Sequence, residues 1–295
     1  MGNDFGVETG VERAGEGRWV GDIDPVWNLR PLPQGGVVTA VALRALEAEL
    51  DAPTQTLRTF HTTFAAQVAH GPVEVDVEVL RRGRSMSQLR GEIRNPGTAR
   101  GHLTTAIFGG PRKGFEFLDL AVPPDVPHPD DCPSFRDPLP DGVDRFDPMP
   151  FWDQKVEGRP ALGTPPWEDT PRTSSLRASW NRFDQPPLRD DATIDPLAAV
   201  VVADTMPGAV GERVGPSDEM WFSPSVDLTF HLTGAWRSEW ILGVNTARWA
   251  GDGYASVDMA LWDLGDDCRG EPHLVAYATQ LCLFTFLPPP GPPPT

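Results

Sequence analysis

The stretch "LRTFHTTFAA" at 57–66 returns as "DLTFHLTGAW" at 227–236. The triplet Thr-Phe-His begins at Thr59 and again at Thr229, 170 residues later, and both copies lie in strand-like alternating sequence. Three letters can recur by chance, so the repeat is meaningful only if the flanking segments recur in the same order. They do recur, which indicates two copies of one folding unit.

A helix-like segment precedes each copy of the triplet. The first, "GGVVTAVALRALEAEL" (35–50), places apolar residues at helical spacing after a Gly-Gly start. The second, "IDPLAAVVVADTMPGAV" (194–210), is apolar on nearly all sides, a pattern typical of a buried helix. Each unit is therefore predicted to contain one long helix.

Alternating strands follow each copy. In "VEVDVEVLRRGRSMSQLRGEIR" (73–94) the alternation breaks at Arg82-Gly83, and in "WILGVNTARWAGDGYASVDMALWDL" (240–264) it breaks at Gly251-Asp252-Gly253. The final strands "GHLTTAIFGG" (101–110) and "PHLVAYATQLCLF" (272–284) also correspond. Each unit is predicted to be a helix followed by a meander of four strands.

Helix and sheet in this order predict an α+β fold of two tandem hotdog units. Each long helix is wrapped by its own antiparallel sheet, because its apolar surface needs a cover. We expect the two sheets to join edge to edge, since free sheet edges invite aggregation.

The composition predicts boundaries for four segments. Residues 123–171 contain 13 prolines amid Asp and Gly, which can bury little apolar surface, although we expect the aromatic side chains there to lie along the folded surface. The proline-rich end reads as extended polyproline II. The predicted division is an N-terminal hotdog unit, a linker, a C-terminal hotdog unit and a tail: 1–115, 116–175, 176–287 and 288–295.

The charge is acidic and unevenly distributed. The net charge is −17, yet residues 57–113 carry 9 Lys/Arg against 4 Asp/Glu, whereas 114–219 carry 9 against 21. This balance argues against a nucleic-acid partner and leaves room for a phosphate-bearing small ligand at the local basic surface.

Three cysteines without close-pair spacing argue against disulfides and a zinc site, and no stretch is apolar and long enough to span a bilayer. We therefore expect a cytoplasmic protein without a metal or cofactor.

The segments in this order resemble the acyl-CoA thioesterase II family, whose members are double hotdogs. In the first unit the resemblance rests on "GGVVTAVALRAL", "LRTFHTTFAAQV", "VEVDVEVLRRGRSMSQLRGEI" and "TTAIFGGPRKGFEF". In the second it rests on "VVVADTM", "PSVDLTFHL", "SEWILGVNTARWAGDGYASVDMALWD" and "AYATQ". It covers most of the chain outside the predicted linker and tail.

The resemblance implies an enzyme of lipid metabolism that hydrolyses acyl-CoA thioesters to free acid and CoA. It implies a water activated by Asp204 in "VVADTM", Ser225 in "SPSVDL" and Gln280 in "YATQLC". Ser225 departs from the Thr found in several relatives, but it keeps a hydroxyl group.

The residues themselves give weaker indications of the same site. Asp204 is a carboxylate in an apolar run, so it is either paired, functional, or simply exposed at a helix end near Pro207. Gln280 interrupts an apolar strand and is either functional or a satisfied core amide. Ser225 alone is an ordinary residue at the start of a strand.

Gly35 and Gly36 are candidate substrate-binding residues. Backbone N–H groups at a helix N-terminus can stabilise the negative charge that develops on a thioester oxygen, and Gly permits close approach. Tight packing of the helix explains the two glycines equally well.

Two other functions stay open. A hotdog hydratase or dehydratase would need His61 or His231 to line the pocket beside an acid. A non-catalytic acyl-CoA-binding protein is indicated if Asp204, Ser225 and Gln280 do not converge. Exposed sheet edges or faces are compatible with a homodimer or a higher homo-oligomer.

Overall fold

The computed structural model describes residues 5–143, 149–217 and 219–287. The first half of the chain forms two helices and six strands, with a short 3-10 turn at Pro25–Trp27. In chain order these are α1 (Phe5–Glu8), β1 (Glu12–Gly15), β2 (Arg18–Ile23), α2 (Gly35–Leu50), β3 (Thr56–Phe64), β4 (Gly71–Arg81), β5 (Met86–Arg94) and β6 (His102–Gly109).

The second half repeats the scheme with additional short elements, after a 3-10 turn at Pro129–Asp131. In chain order these are α3 (Pro150–Gln154), β7 (Val156–Leu162), β8 (Arg177–Phe183), α4 (Pro196–Ala203), α5 (Gly208–Val214), β9 (Trp221–Phe222), β10 (Asp227–Leu232), β11 (Ile241–Gly251), β12 (Tyr254–Asp263), β13 (His273–Leu283) and β14 (Thr285–Phe286).

Twelve of these strands form one continuous antiparallel sheet in the order β1-β2-β4-β5-β6-β3-β10-β13-β12-β11-β8-β7. The two units meet where β3 pairs with β10, with Phe60 opposite Phe230. The two phenyl rings stack with their centroids 5.3 Å apart. The repeated Thr-Phe-His triplets thus pair with each other, and the predicted tandem hotdog fold with edge-to-edge sheets is confirmed.

The prediction of a simple four-strand meander is wrong in one respect. In each unit the first strand after the helix pairs with the last strand, β3 with β6 and β10 with β13. The following three strands do form successive hairpins. This order leaves β3 and β10 at the inner edges, where each can pair with the other unit.

The second predicted helix is interrupted. It was expected over 194–210, but α4 ends at Ala203 and α5 begins only at Gly208. Pro207 lies in the break; a proline lacks a backbone N–H and disfavours the helical conformation in the residue before it. Asp204 is the C-terminal cap of α4, so the break places its carboxylate at the end of a buried helix.

Part of the segment predicted as a linker belongs to the sheet. Residues 150–162 contain α3 and the edge strand β7, which pairs with β8. Phe151 is fully buried and lies 6.3 Å from the Trp27 ring, centroid to centroid. The domain boundaries themselves stay a prediction, and the predicted tail at 288–295 lies outside the described residues.

The sheet has a separate apolar cluster on its outer face, away from the helices. Trp180, Trp240 and Trp262 form it together with Cys132, and Leu120 and Val126 pack against it. The chain that follows β6 therefore runs to the outer face of the second unit. No helix in the described parts of the chain is long and apolar enough to cross a bilayer.

Candidate active site

Asp204 lies where the two helices meet. From the end of α4 its carboxylate reaches the first turn of α2, where the Gly36 N–H donates to Asp204 Oδ2 at 2.8 Å. The positive end of a helix dipole favours a negative charge at this position. Only 8% of Asp204 is exposed, so the alternative of an exposed helix-end charge does not hold.

The two glycines at the start of α2 permit this contact. A Cβ on Gly36 would lie 2.7 Å from the Val200 carbonyl oxygen, and one on Gly35 would lie 3.0 Å from Asp204 Oδ2. A larger residue at Gly36 would therefore push α2 away from α4, whereas one at Gly35 would displace the Asp204 or Phe64 side chain. The Gly36 N–H is engaged by the carboxylate, and the absence of a Cβ at Gly36 permits the close approach of α2 to α4.

Gln280 and Ser225 reach the other oxygen of the same carboxylate. Gln280 Nε2 donates to Asp204 Oδ1, and Ser225 Oγ donates to that atom at 3.4 Å. Gln280 lies on the inner face of β13 and is 2% exposed. Its Oε1 is buried and has no hydrogen-bond partner in the described chain. The three predicted side chains therefore converge.

Backbone contacts between β10 and β13 place Ser225 beside Gln280. Ser225 forms an isolated bridge to Cys282, and the Val226 N–H donates to the Leu281 carbonyl oxygen at 2.7 Å. The Asp227 carboxylate accepts from the Leu281 N–H at 2.8 Å. The strand start that carries the hydroxyl group is thus held in register with the strand that carries the amide.

Burial raises the pKa of Asp204 from its usual 3.8 to about 6. The hydrogen bonds from Gln280, Gly36 and Ser225 act in the opposite direction, because they stabilise the charged form. A carboxylate with a pKa near neutrality is ionised at pH 7 and still basic enough to take a proton from water. A carboxylate of this kind is chemically suited to act as a general base.

Gln34 also contributes to the site, although the sequence analysis did not single it out. Its Oε1 accepts from the Val37 N–H at 2.9 Å and caps α2, while its Nε2 donates to the Val201 carbonyl oxygen at 2.9 Å. One side chain therefore ties α2 to α4 next to Asp204. Its position just before Gly35-Gly36 could have indicated a helix cap, but Gln is not among the residues preferred at that position.

Phe64 lies near the Asp204 carboxylate, and the His102 ring packs against Phe64. Their rings lie 4.7 Å apart, and the Phe64 ring would be 3.1 Å from a Cβ on Gly35. Burial lowers the pKa of His102 to about 4, so its imidazole is neutral at pH 7. The sequence analysis missed both residues, since neither stands out from its strand.

His61 and His231 are not part of this site. Both are exposed and lie on the outer face of the sheet, on the opposite side from Phe60 and Phe230. The His61 ring nitrogens lie 2.9 Å from Thr229 Oγ1 and 3.2 Å from Thr63 Oγ1. Among the described residues, no three His, Cys, Asp or Glu side chains are grouped closely enough to hold a metal ion.

The fold and the site together define a double hotdog protein with a buried carboxylate where α2 and α4 meet. The family profile of the acyl-CoA thioesterase C-terminal domain matches residues 129–284, and that of the N-terminal domain matches residues 23–109. The chain belongs to the acyl-CoA thioesterase family.

Solved structures share the whole fold. A hotdog-fold protein of unknown function from Alicyclobacillus acidocaldarius is 22% identical, with a TM-score of 0.75, over 97% of this chain and 98% of that one. A putative thioesterase from Novosphingobium aromaticivorans is 25% identical (TM-score 0.71; 92% and 97% covered). An acyl-CoA thioesterase II from Mycobacterium marinum is 20% identical (TM-score 0.70; 96% and 98% covered). No curated protein matches the chain.

Proposed function

We propose that the protein is an acyl-CoA thioesterase that hydrolyses acyl-CoA to a free acid and CoA. The observation that carries this proposal is the convergence of a carboxylate, a hydroxyl and a carboxamide, with both Gln280 Nε2 and Ser225 Oγ directed at Asp204 Oδ1. Membership of the acyl-CoA thioesterase family supports the same activity.

In the proposed reaction, Asp204 takes a proton from water while the water oxygen forms a bond to the thioester carbonyl carbon. The unpartnered Oε1 of Gln280 accepts a hydrogen bond from the second O–H of the water and so orients it. Ser225 Oγ contacts the same water. The tetrahedral intermediate then breaks its carbon–sulfur bond. The CoA sulfur leaves with the electron pair and receives the proton from Asp204, which restores the carboxylate.

Gly35 and Gly36 are our candidates for the backbone that lies against the thioester. A Cβ at either position would lie about 3 Å from an atom of Asp204, so this backbone runs directly beside the carboxylate. In the resting site the Gly36 N–H binds Asp204. We infer that its first role is to hold the base in position.

The expected cellular setting follows from the substrate and the thiols. All three cysteines are free and buried, which suits a reducing compartment such as the cytoplasm. The acidic chain has its basic surface in the first unit, which favours a phosphate-bearing ligand such as CoA over nucleic acid.

A non-catalytic acyl-CoA-binding protein is the second candidate. It is favoured by the low exposure of the site, since Asp204 and Gln280 are 8% and 2% exposed. The hydratase alternative has no support from geometry, because His61 and His231 are exposed on the outer face and neither has an ion pair with a carboxylate among the described residues.

A thiol-release assay over acyl-CoA substrates of increasing chain length tests the proposal. The thioesterase releases CoA from at least one substrate at a rate proportional to enzyme concentration. Saturable binding without CoA release would establish the binding protein instead. Loss of enoyl absorbance without CoA release would establish a hydratase.

A further inference from the structure

Arg177 lies on the inner face of β8. Trp180 of the same strand belongs to the cluster on the outer face, and side chains of a strand alternate between the two faces, so Arg177 and Ser179 point toward the helices. Arg177 is opposite Asn245 of β11, whose Nδ2 donates to the Met206 carbonyl oxygen at 2.8 Å. This part of the inner face therefore contacts the break between α4 and α5.

The guanidinium group of Arg177 packs against the backbone of that break. A Cβ on Gly208 would lie 2.4 Å from Arg177 Nη1 and 3.2 Å from Cζ, so the absence of a side chain at Gly208 leaves room for the group. The centroid of the Phe135 ring lies 5.7 Å from Arg177 Cζ. Arg177 is only partly exposed, and desolvation by the surrounding protein lowers the pKa of its guanidinium group.

No carboxylate in the described chain forms an ion pair with Arg177. Its Nη2 donates to Ser179 Oγ over a long distance, 3.5 Å. Glu212 attracts the charge from farther away, but the Glu212 carboxylate is bound to Arg172 and to the Thr164 N–H. A desolvated guanidinium group is costly without an anion, and its planar fork fits a carboxylate or a phosphate.

The guanidinium group is also close to the Asp204 carboxylate. Between Asp204 and Gly208 the chain forms tight turns, in which the N–H groups of Thr205, Met206 and Gly208 each donate to the carbonyl oxygen three residues earlier. Such turns rise about 2 Å per residue, which places the Cα atoms of Asp204 and Gly208 about 8 Å apart. The guanidinium group, which contacts Gly208, is therefore on the order of 10 Å from the carboxylate.

We propose that Arg177 binds the terminal carboxylate of a short dicarboxylic acyl group while its thioester reacts at Asp204, an inference that rests on the proposed thioesterase activity. An extended chain of four to six carbons spans about 4–6 Å. A hydrogen-bonded contact adds about 3 Å at each end, and the sum matches the estimated separation. The phosphates of CoA are separated from its sulfur by the whole pantetheine arm, which in extended form is longer than this distance.

The test compares glutaryl-CoA with valeryl-CoA in the thiol-release assay. Both acyl groups have five carbons, and they differ only in the terminal carboxylate. The wild-type protein is expected to show at least about tenfold higher kcat/KM for glutaryl-CoA, because a charge-assisted hydrogen bond contributes a factor of this size. Arg177→Met is expected to lower kcat/KM for glutaryl-CoA about 10- to 100-fold and to change that for valeryl-CoA less than about threefold.

Arg213→Met is the matched control, because it removes an exposed guanidinium group from α5. It is expected to keep the wild-type preference. A wild-type protein that does not prefer glutaryl-CoA would overturn the proposal, whatever the variants do. Equal losses with both substrates in Arg177→Met would also overturn it and would indicate a CoA phosphate at this position.

The outcome separates this proposal from the proposed function. Equal turnover of the two substrates by the wild type refutes only the carboxylate site and leaves the thioesterase intact. If neither substrate is turned over, isothermal titration calorimetry with the same two ligands still tests Arg177. Tighter binding of glutaryl-CoA that is lost in Arg177→Met is expected, and equal affinities would overturn the proposal.

Discussion

At the scale of single residues, Asp204 is governed by two opposing effects. Burial disfavours its charge, whereas donors from Gln280, Gly36 and Ser225 favour it, and the net result is a pKa of about 6. Without the donors the pKa of the carboxyl group would be higher, and without the burial it would be lower. The balance gives a base that is ionised and reactive near pH 7.

This balance predicts the pH dependence of catalysis. Since the proposed base is the ionised form of Asp204, kcat/KM is expected to fall about tenfold per pH unit below pH 6 and to level off above pH 7. Initial rates with one good acyl-CoA substrate between pH 4.5 and 8.5 measure it. A profile that stays flat down to pH 4.5 would show that this carboxylate does not act as the base.

The same shift predicts an effect on stability. A carboxyl group whose pKa is higher in the folded state stabilises the fold below its unfolded value of 3.8, and this contribution is lost as pH rises through about 6. At pH 8 the buried, ionised carboxylate therefore destabilises the folded state. Asp204→Asn removes this charge and is expected to raise the free energy of unfolding at pH 8 by on the order of 2–3 kcal/mol, with little change at pH 4. If the Gln280 amide flips, its Oε1 can accept a hydrogen bond from the new amide group at position 204, so this contact is kept.

Urea unfolding at pH 8 and pH 4 measures this effect. The matched control is Asp258→Asn, which is equally buried, at 8% exposure, but lies on the outer face of β12 and pairs with Arg248. It is expected to lose stability at pH 8. Equal destabilisation of both variants at pH 8 would contradict the account of Asp204.

At the scale of elements, the crossing of α2 and α4 determines the site. Gln34 caps α2 and donates to the Val201 carbonyl oxygen, so Gln34→Ala removes two buried hydrogen bonds, one of them between the two helices. We expect a loss of about 1–3 kcal/mol in the free energy of unfolding. Chemical denaturation measures it, and the exposed Gln67→Ala is a control that should change little. An equal, small effect of both variants would show that Gln34 does not stabilise the contact between α2 and α4.

The main helical segment and the four strands that follow it in each unit could be predicted from the sequence because each has its own apolar period. The pairing of β3 with β6 could not, since strand order depends on where connections cross the sheet and not on alternation. The edge strand β7 escaped prediction because prolines dominate its surroundings. Pro207 was a possible sign of the helix break, but the uniformly apolar sequence around it favoured the prediction of one continuous helix.

The candidate site was predicted through family resemblance more than through the residue pattern. An apolar run around Asp204 indicates that the carboxylate is unusual, but not what it contacts. The bond from the Gly36 N–H to Asp204 depends on two helices that come together across 168 residues of chain. No local pattern records a contact of that kind.

At the scale of the whole molecule, both units contribute to one site. Asp204, Ser225 and Gln280 come from the second unit, whereas Gly36 comes from the first. The pairing of β3 with β10 joins the units, and Phe60 and Phe230 stack at its inner face. Site geometry therefore depends on the stability of this junction.

Truncating the stacked pair tests that dependence. Phe60 and Phe230 are 2% and 0% exposed, so each change to Ala is expected to cost about 3–5 kcal/mol in the free energy of unfolding. In a double-mutant cycle the pair is expected to show a coupling of about 0.5–1.5 kcal/mol, because aromatic pairs gain beyond their buried area. Strictly additive losses would show that the stack does not couple the units.

The most direct test of the account is the turnover of Asp204→Asn in a thiol-release assay, with Asp258→Asn as the equally buried control. We predict that Asp204→Asn stays folded and loses at least about two orders of magnitude in turnover, the scale of a lost general base, while Asp258→Asn keeps wild-type turnover. Undiminished CoA release by folded Asp204→Asn would contradict the central claim.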